Sequence, residues 1–201
     1  FDYRNHKSNP LRNFLIHCLM HKIRIWDVLS SNRVDTFIAN SHNVAARIAK
    51  HYRRESTVIY PPVSVPETDL GECPLGEYYL VVSRLVSYKR IDLAVQAFNQ
   101  LSIPLIVAGD GAELKALKKM ANSNIRFVGR VSEEQKADLY RRCRGFVFPG
   151  EEDFGITPVE AQSYGKPVIA FGRGGAVETV IDGVTGIHFK EQTVDSLIKA
   201  V

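Results

Sequence analysis

From Tyr78 onward, short apolar runs alternate with longer stretches in which apolar residues recur every three or four positions. The runs at 78–83, 105–108, 125–128, 145–148 and 168–170 predict buried strands. The periodic stretches at 91–101, 112–121, 133–143, 158–164 and 176–181 predict helices. Strand and helix in strict alternation imply a parallel sheet with right-handed crossovers and helices on both faces, an α/β fold. Upstream, apolar positions Leu11, Phe14, Leu15, Cys18, Leu19, Trp26 and Leu29 fall at roughly helical spacing, with Arg12, His17, His21 and Arg24 largely elsewhere on the wheel, a stripe that is either core or the face of a membrane-surface helix. A strand at 34–39, an N-cap at Ser41, a helix at 43–52 and a strand at 57–60 follow. Between the two regions lies Tyr60-Pro61-Pro62-Val63-Ser64-Val65-Pro66, whose prolines favour extended chain and mark a linker over 61–74.

Composition refines this picture only in places. Hydrophobic residues make up 45% and charged residues 24% of the 201, ordinary values for a packed globule. No apolar run approaches the roughly eighteen residues that a membrane span requires. Cys18, Cys73 and Cys143 are odd in number and far apart, which argues against a disulfide framework or a zinc site and for a reducing cytoplasm. Charge is uneven: residues 1–60 carry ten Lys and Arg against four Asp and Glu, and five of the six His. Such a basic segment either faces an anionic surface or substrate, or is a solvated face. No nucleic-acid-binding motif accompanies it, so nucleic acid is not an expected partner. With no Met at Phe1 and an apparent helix running to Val201, the chain reads as a fragment cut at both ends.

The densest chemistry lies at Pro149-Gly150-Glu151-Glu152-Asp153-Phe154-Gly155-Ile156-Thr157-Pro158-Val159-Glu160. Thr157 reads as an N-cap, Pro158 as the first helical residue and Gly165 as the stop. Amides at such a helix start, with the helix dipole, favour a phosphate, and Glu152 and Glu160 can accept from hydroxyls beside it. The same residues also fit a capping box in which Glu160 returns to the cap amide and touches no ligand. Arg84 and Lys89 follow the first strand of the second region. They are either exposed loop cations or the charges that stabilise a departing diphosphate, Arg by forking two oxygens and Lys as a point charge. Arg90 either shares that role or flanks it. In a parallel sheet the loops beyond the strand ends form the ligand rim, and Arg84, Gly109-Asp110-Gly111, Gly129-Arg130-Val131 and 149–156 all lie there.

Glu152-x7-Glu160 with Phe154-Gly155-Ile156 inside it, then Gly165-Lys166-Pro167-Val168-Ile169-Ala170 and Gly174-Gly175, resembles the signature of family 4 glycosyltransferases of the GT-B fold. The segment Ser83-Arg84-Leu85-Val86-Ser87-Tyr88-Lys89-Arg90 is similar to that family's basic diphosphate loop. The matches span about two thirds of the chain in the expected order, and look most like prokaryotic mannosyltransferases. The resemblance implies a Rossmann-like nucleotide-sugar-binding domain at 75–201, truncated at its C-terminus, and the remnant of an N-terminal acceptor-side domain at 1–60. It implies a retaining transfer of a hexose, mannose from GDP-mannose, to a glycan or lipid-linked acceptor. It implies catalytic roles for Arg84, Lys89 and Glu152, the last on donor-sugar hydroxyls. Donor contacts would come from Arg130 and Val131 by the base, Asp153, Phe154, Gly155, Ile156 and Thr157 by the sugar and distal phosphate, and Glu160 on the ribose diol. No metal or other cofactor is expected, because cations and helix dipole neutralise the diphosphate. The location implied is cytoplasmic, with peripheral contact at the membrane face. The isolated chain would bind donor weakly and turn over poorly.

Glu152 and Glu160 do not read as a glycosidase pair, since nothing supplies the second face and the positioned water that hydrolysis needs. Two alternatives stay open. One is a non-catalytic nucleotide-sugar-binding module. The other is a dinucleotide-dependent oxidoreductase, from Ala108-Gly109-Asp110-Gly111-Ala112, which lacks the third Gly of the fingerprint.

Overall fold

A computed structural model describes residues 10–65 and 76–201. The chain divides into two compact units, Phe1–Tyr60 and Pro61–Val201. Residues 61–65 carry no regular structure, and the rest of the expected linker, 66–74, lies outside the described residues.

In the first unit a long helix α1 (Pro10–Ser31) precedes a parallel pair, β1 (Phe37–Ala39) and β2 (Ser56–Val58), joined through α2 (His42–Tyr52). Ser41 caps α2 as expected, its hydroxyl accepting from the Val44 amide at 3.0 Å. Arg54 closes the end of α1: its guanidinium donates to the carbonyls of Ser31, Val34 and Asp35 and lies over the Phe37 ring. Tyr52 stacks on Phe37 and donates to Asp27 at 2.8 Å. The apolar stripe of α1 is not core within this unit. Leu11, Phe14, Leu15, Leu19, Trp26 and Leu29 are each more than half exposed.

The second unit holds six parallel strands: β3 (Tyr78–Val82), β4 (Leu105–Ala108), β5 (Ile125–Gly129), β6 (Cys143–Phe148), β7 (Val168–Phe171) and β8 (Gly186–Phe189). Between them run α3 (Ile91–Leu101), α4 (Leu114–Met120), α5 (Glu133–Arg142), α6 (Ile156–Ser163) and α7 (Ala176–Thr179), with α8 (Val194–Ala200) last. Side chains alternate across each strand, and both faces are buried. Val81, Val107, Val147, Ile169 and Phe171 pack with Phe98 of α3, Leu117 of α4 and Leu197 of α8. Leu80, Phe146, Phe148, Val168 and Ala170 pack on the other side with Tyr140 of α5, Ala161 of α6 and Ala176 of α7. The sequence expectation of an α/β parallel sheet with helices on both faces therefore holds.

Strand order is β5-β4-β3-β6-β7-β8. The chain enters at β3 in the middle, builds outward through β4 to β5, then crosses back so that β6 pairs with the free side of β3. That reversal sets the loops after β3 and β6 side by side beyond the carboxyl ends of their strands, the place at which an open parallel sheet binds ligands. The edge strand β8 was not among the expected strands. Its Gly-Ile-His-Phe run is too short and mixed to signal one, and it forms by pairing with β7.

One local expectation is corrected. Thr157 is not an N-cap: α6 begins at Ile156 after Gly155, whose φ of 86° turns the chain into the helix two residues earlier. Thr157 is thus already helical, and Pro158 sits in the first turn, where no intrahelical bond is lost.

Candidate functional site

The loops after β3 and β6 bring Lys89 and Glu152 together in an ion pair. Lys89 ends a single 3-10 turn, Ser87–Lys89, and its ammonium also lies 5.2 Å from the Tyr88 ring centroid. Both members of the pair are mostly shielded from solvent, with side chains 15% and 22% exposed. Arg84 is exposed at the start of the same loop, without an ion pair among the described residues. Arg90 does not share this site. Its left-handed backbone (φ 53°) turns it toward Asp92 and Gln192, with Nη1 donating to Gln192 Oε1 at 3.0 Å. Gln192 in turn donates to the Pro149 carbonyl at 2.9 Å, tying the loop after β8 to the loop after β6. Sequence reading missed Gln192, which carries no motif.

The loop after β6 is held from a second side. The Gly175 amide donates to the Glu152 carbonyl at 2.7 Å. A side chain at Gly174 would strike that carbonyl, and one at Gly175 would strike the backbone of Phe154. The pair Gly174-Gly175 is therefore a close-approach loop that fixes Glu152, Asp153 and Phe154. Phe154 is buried and Asp153 exposed. Gly155, Ile156 and Thr157 open α6, whose first amides have no intrahelical acceptor and carry the positive end of the dipole.

Glu160 lies one turn into α6, and its carboxylate is engaged by α5. Lys136 Nζ donates to Oε1 at 2.9 Å and Tyr140 OH donates to Oε2 at 2.9 Å. The capping box reading of Glu160 is overturned by the earlier helix start and by these partners. A capping box does exist at the head of α5: Ser132 Oγ accepts from the Gln135 amide at 3.2 Å, and Gln135 Oε1 accepts from the Ser132 amide at 2.9 Å. It sets the start of α5 and hence the face carrying Glu133, Lys136 and Tyr140. Lys136 also meets Glu133 at 2.8 Å. Burial pulls its ammonium down, but the hydrogen bonds and charges of the two glutamates outweigh this and hold it above the ordinary lysine value. Lys136 and Tyr140 were not anticipated. Their i, i+4 spacing marks one helix face, yet nothing in the sequence says that this face meets α6.

Farther along the rim, Arg130 is 87% exposed, with Nε 3.7 Å from Asp110 Oδ2. Val131 is half-buried. An open groove of about 500 Å³ between β5 and α5 is lined by both, with Arg126, Glu134 and Asp138 among its other walls. Among the described residues, no three His, Cys, Asp or Glu side chains converge as a metal-holding group, and no helix is long and apolar enough to cross a membrane.

Cations, helix-start amides and hydroxyl-accepting carboxylates on one rim suit an anion joined to polyols. Residues 75–201 match the family of glycosyl transferases group 1. The chain belongs to that family. As a group 1 glycosyl transferase it is 26% identical to the alpha-1,3/1,6-mannosyltransferase ALG2 of Candida glabrata, over 73% of this chain and 44% of that protein. It is 32% identical to an uncharacterized glycosyltransferase of Methanocaldococcus jannaschii, over 81% of this chain and 47% of that one. It is 26% identical to the O-antigen chain mannosyltransferase C of Escherichia coli, over 84% and 50%. The chain thus spans about half the length of the curated relatives it matches. Among solved structures, HepE of Anabaena in complex with UDP and glucose superposes with a TM-score of 0.74 at 24% identity, covering 88% of this chain and 55% of HepE. Staphylococcus aureus TarM, in a complex containing UDP, gives 0.77 at 17% identity, covering 89% and 38%. These likenesses show the GT-B fold. Membership in this family sets aside the oxidoreductase alternative.

Proposed function

We propose that this group 1 glycosyl transferase binds the donor for a retaining hexosyl transfer, with GDP-mannose as donor and a glycan or lipid-linked sugar as acceptor. The observation that carries the reading is the meeting, at the strand-order reversal, of Lys89 in the loop after β3 with Glu152 in the loop that leads into α6. The named mannosyltransferases among its relatives support the choice of sugar.

In this reading the diphosphate lies over the amides of Phe154, Gly155, Ile156 and Thr157, with Arg84 and Lys89 on its oxygens. As the bond from the anomeric carbon to the diphosphate breaks, negative charge grows on the leaving group. Fixed cations then stabilise the transition state more than the ground state. Glu152, beside Asp153, accepts from donor-sugar hydroxyls, Glu160 from the ribose diol, and Arg130 and Val131 border the base. The acceptor hydroxyl attacks from the face that the diphosphate leaves, and its proton departs with the diphosphate. No metal is required, since the two cations and the helix start supply the neutralising charge.

Calorimetric titration of the chain with GDP, GDP-mannose, UDP and UDP-glucose tests this, repeated with EDTA and with Glu160→Ala. The expected result is tighter binding of the guanine ligands, unchanged by EDTA and weakened about tenfold or more by Glu160→Ala, the loss of hydrogen bonds to a charged group. Preference for the uracil ligands overturns the donor, loss with EDTA overturns the metal-free reading, and binding of none by the folded chain overturns the whole.

A cytoplasmic site at the membrane face belongs to the same proposal. The exposed stripe of α1, with Arg12, Lys22 and Arg24 on the same helix, supports contact with an anionic lipid surface. Flotation should carry the chain with anionic liposomes and less with neutral ones; recovery of all of it in the lipid-free fraction removes this part.

A further inference from the structure

Tyr140 lies in the last turn of α5 with its side chain fully buried. Its ring stacks on Tyr164 at 5.5 Å between centroids and tilts against Phe146 at 5.8 Å. Packing alone would be served by phenylalanine, whereas a hydroxyl placed there has to find a partner. That partner is Glu160 Oε2 at 2.9 Å; the approach to the Thr157 carbonyl is long, at 3.4 Å. Burial, then the charge and hydrogen bond of Glu160, push the Tyr140 hydroxyl well above the ordinary phenol value, so it remains a donor across the working pH range.

From the other side Lys136 donates to Oε1. A carboxylate has about four lone-pair positions. Two protein donors occupy one on each oxygen, and one on each oxygen is left for a ligand. The terminal torsion of a glutamate is broad, so a lone ammonium at one oxygen leaves the carboxylate free to swing. A second donor, mounted on a buried ring and aimed at the other oxygen, stops it. Two acceptor positions on a carboxylate fixed in this way match the two O–H donors of a vicinal diol.

We propose that Tyr140 is a positioning residue for ribose recognition: its hydroxyl locks the Glu160 carboxylate so that both oxygens meet the 2′ and 3′ hydroxyls of the bound nucleotide. This rests on the reading of Glu160 as the ribose acceptor. The test is the affinity ratio of GDP to 2′-deoxy-GDP, measured by calorimetry on the wild-type chain and on Tyr140→Phe. The wild type should prefer GDP by about tenfold, the loss of one hydrogen bond to a charged acceptor. In Tyr140→Phe the ratio should fall to about threefold or less, as the freed carboxylate no longer presents both oxygens. A merely structural role would weaken both nucleotides alike, and an unchanged ratio in the variant overturns the inference. A wild type that binds both nucleotides without preference overturns the ribose reading of Glu160 first, and Tyr140 with it. Should Tyr140→Phe not fold, a crystal structure of the wild type with GDP decides. The Tyr140 hydroxyl must remain on Oε2 while the two ribose hydroxyls take both oxygens, and a carboxylate rotated away from Tyr140 overturns the proposal.

Discussion

Lys89→Ala is expected to weaken GDP binding by about 100-fold, toward the upper end of what the loss of one cation gives. A charge-assisted hydrogen bond to phosphate contributes about 1.5–3 kcal/mol, or roughly ten- to 150-fold in affinity. The second contribution comes from Glu152, which Lys89 neutralises in the free protein. In the proposed placement of the diphosphate, that partly shielded carboxylate would face it without Lys89 as counter-charge, and like charges repel across a short distance in a medium less polar than water. Glu152→Gln removes the negative charge while keeping the side-chain shape. The double variant Lys89→Ala with Glu152→Gln should therefore regain about tenfold relative to Lys89→Ala alone, a coupling that a double-mutant cycle reads directly. Calorimetry on the four proteins checks both halves. Lys89→Ala within threefold of wild type, or a double variant weaker than the single one, would show that the pair does not face the diphosphate.

Gly175→Ala is the second change with a large expected effect. Its φ of −68° is open to any residue, so the reason for glycine is space. A methyl group there would overlap the Phe154 backbone and the Asp153 carbonyl, neither of which can rotate out of the way as a side chain could. The loop after β6 has to shift, and with it goes the 2.7 Å hydrogen bond from the Gly175 amide to the Glu152 carbonyl. Overpacking of this kind costs about 1–3 kcal/mol of stability. Displacement of Glu152 and the start of α6 should cost at least about tenfold in nucleotide affinity as well, equivalent to one charge-assisted contact. Gly183 supplies the control. It has φ of 75° and nothing within 4 Å of where a side chain would go. Gly183→Ala should lose about 1 kcal/mol through backbone strain alone and bind nucleotide normally. Urea denaturation with parallel titrations separates the two. Wild-type affinity in Gly175→Ala would refute the buttressing role of the Gly174-Gly175 loop.

Much of the fold was legible because its signals are local. The strands β3 to β7 are apolar runs, and α3 has a clear apolar face ending at Leu101, so their periodicities could be read directly. The start of α6 was misread because two local signals compete there. Thr157-Pro158 looks like a cap followed by a first turn, while Gly155 can take the left-handed conformation that starts the helix sooner. Nothing short of the backbone path chooses between them. For the same reason Thr157 to Glu160 passed for a capping box, when the chain builds its box at Ser132 and Gln135.

The candidate site divides along the same line. Residue types, their order along the chain and their place just beyond strand ends are properties of short segments, and these together with the family resemblance single out Arg84, Lys89, Glu152 and Glu160 as candidates. Which of them meet is a matter of strand order. Lys89 reaches Glu152 because the chain crosses back to put β6 beside β3, a pairing between segments more than sixty residues apart that no window of sequence encodes. The hold of Lys136 and Tyr140 on Glu160 likewise comes from α5 and α6 lying on the same face of the sheet, and the turning away of Arg90 comes from Gln192 in the loop after β8. Periodicity and turn chemistry act over a few residues, whereas a site assembled from four loops depends on the packing of the whole sheet.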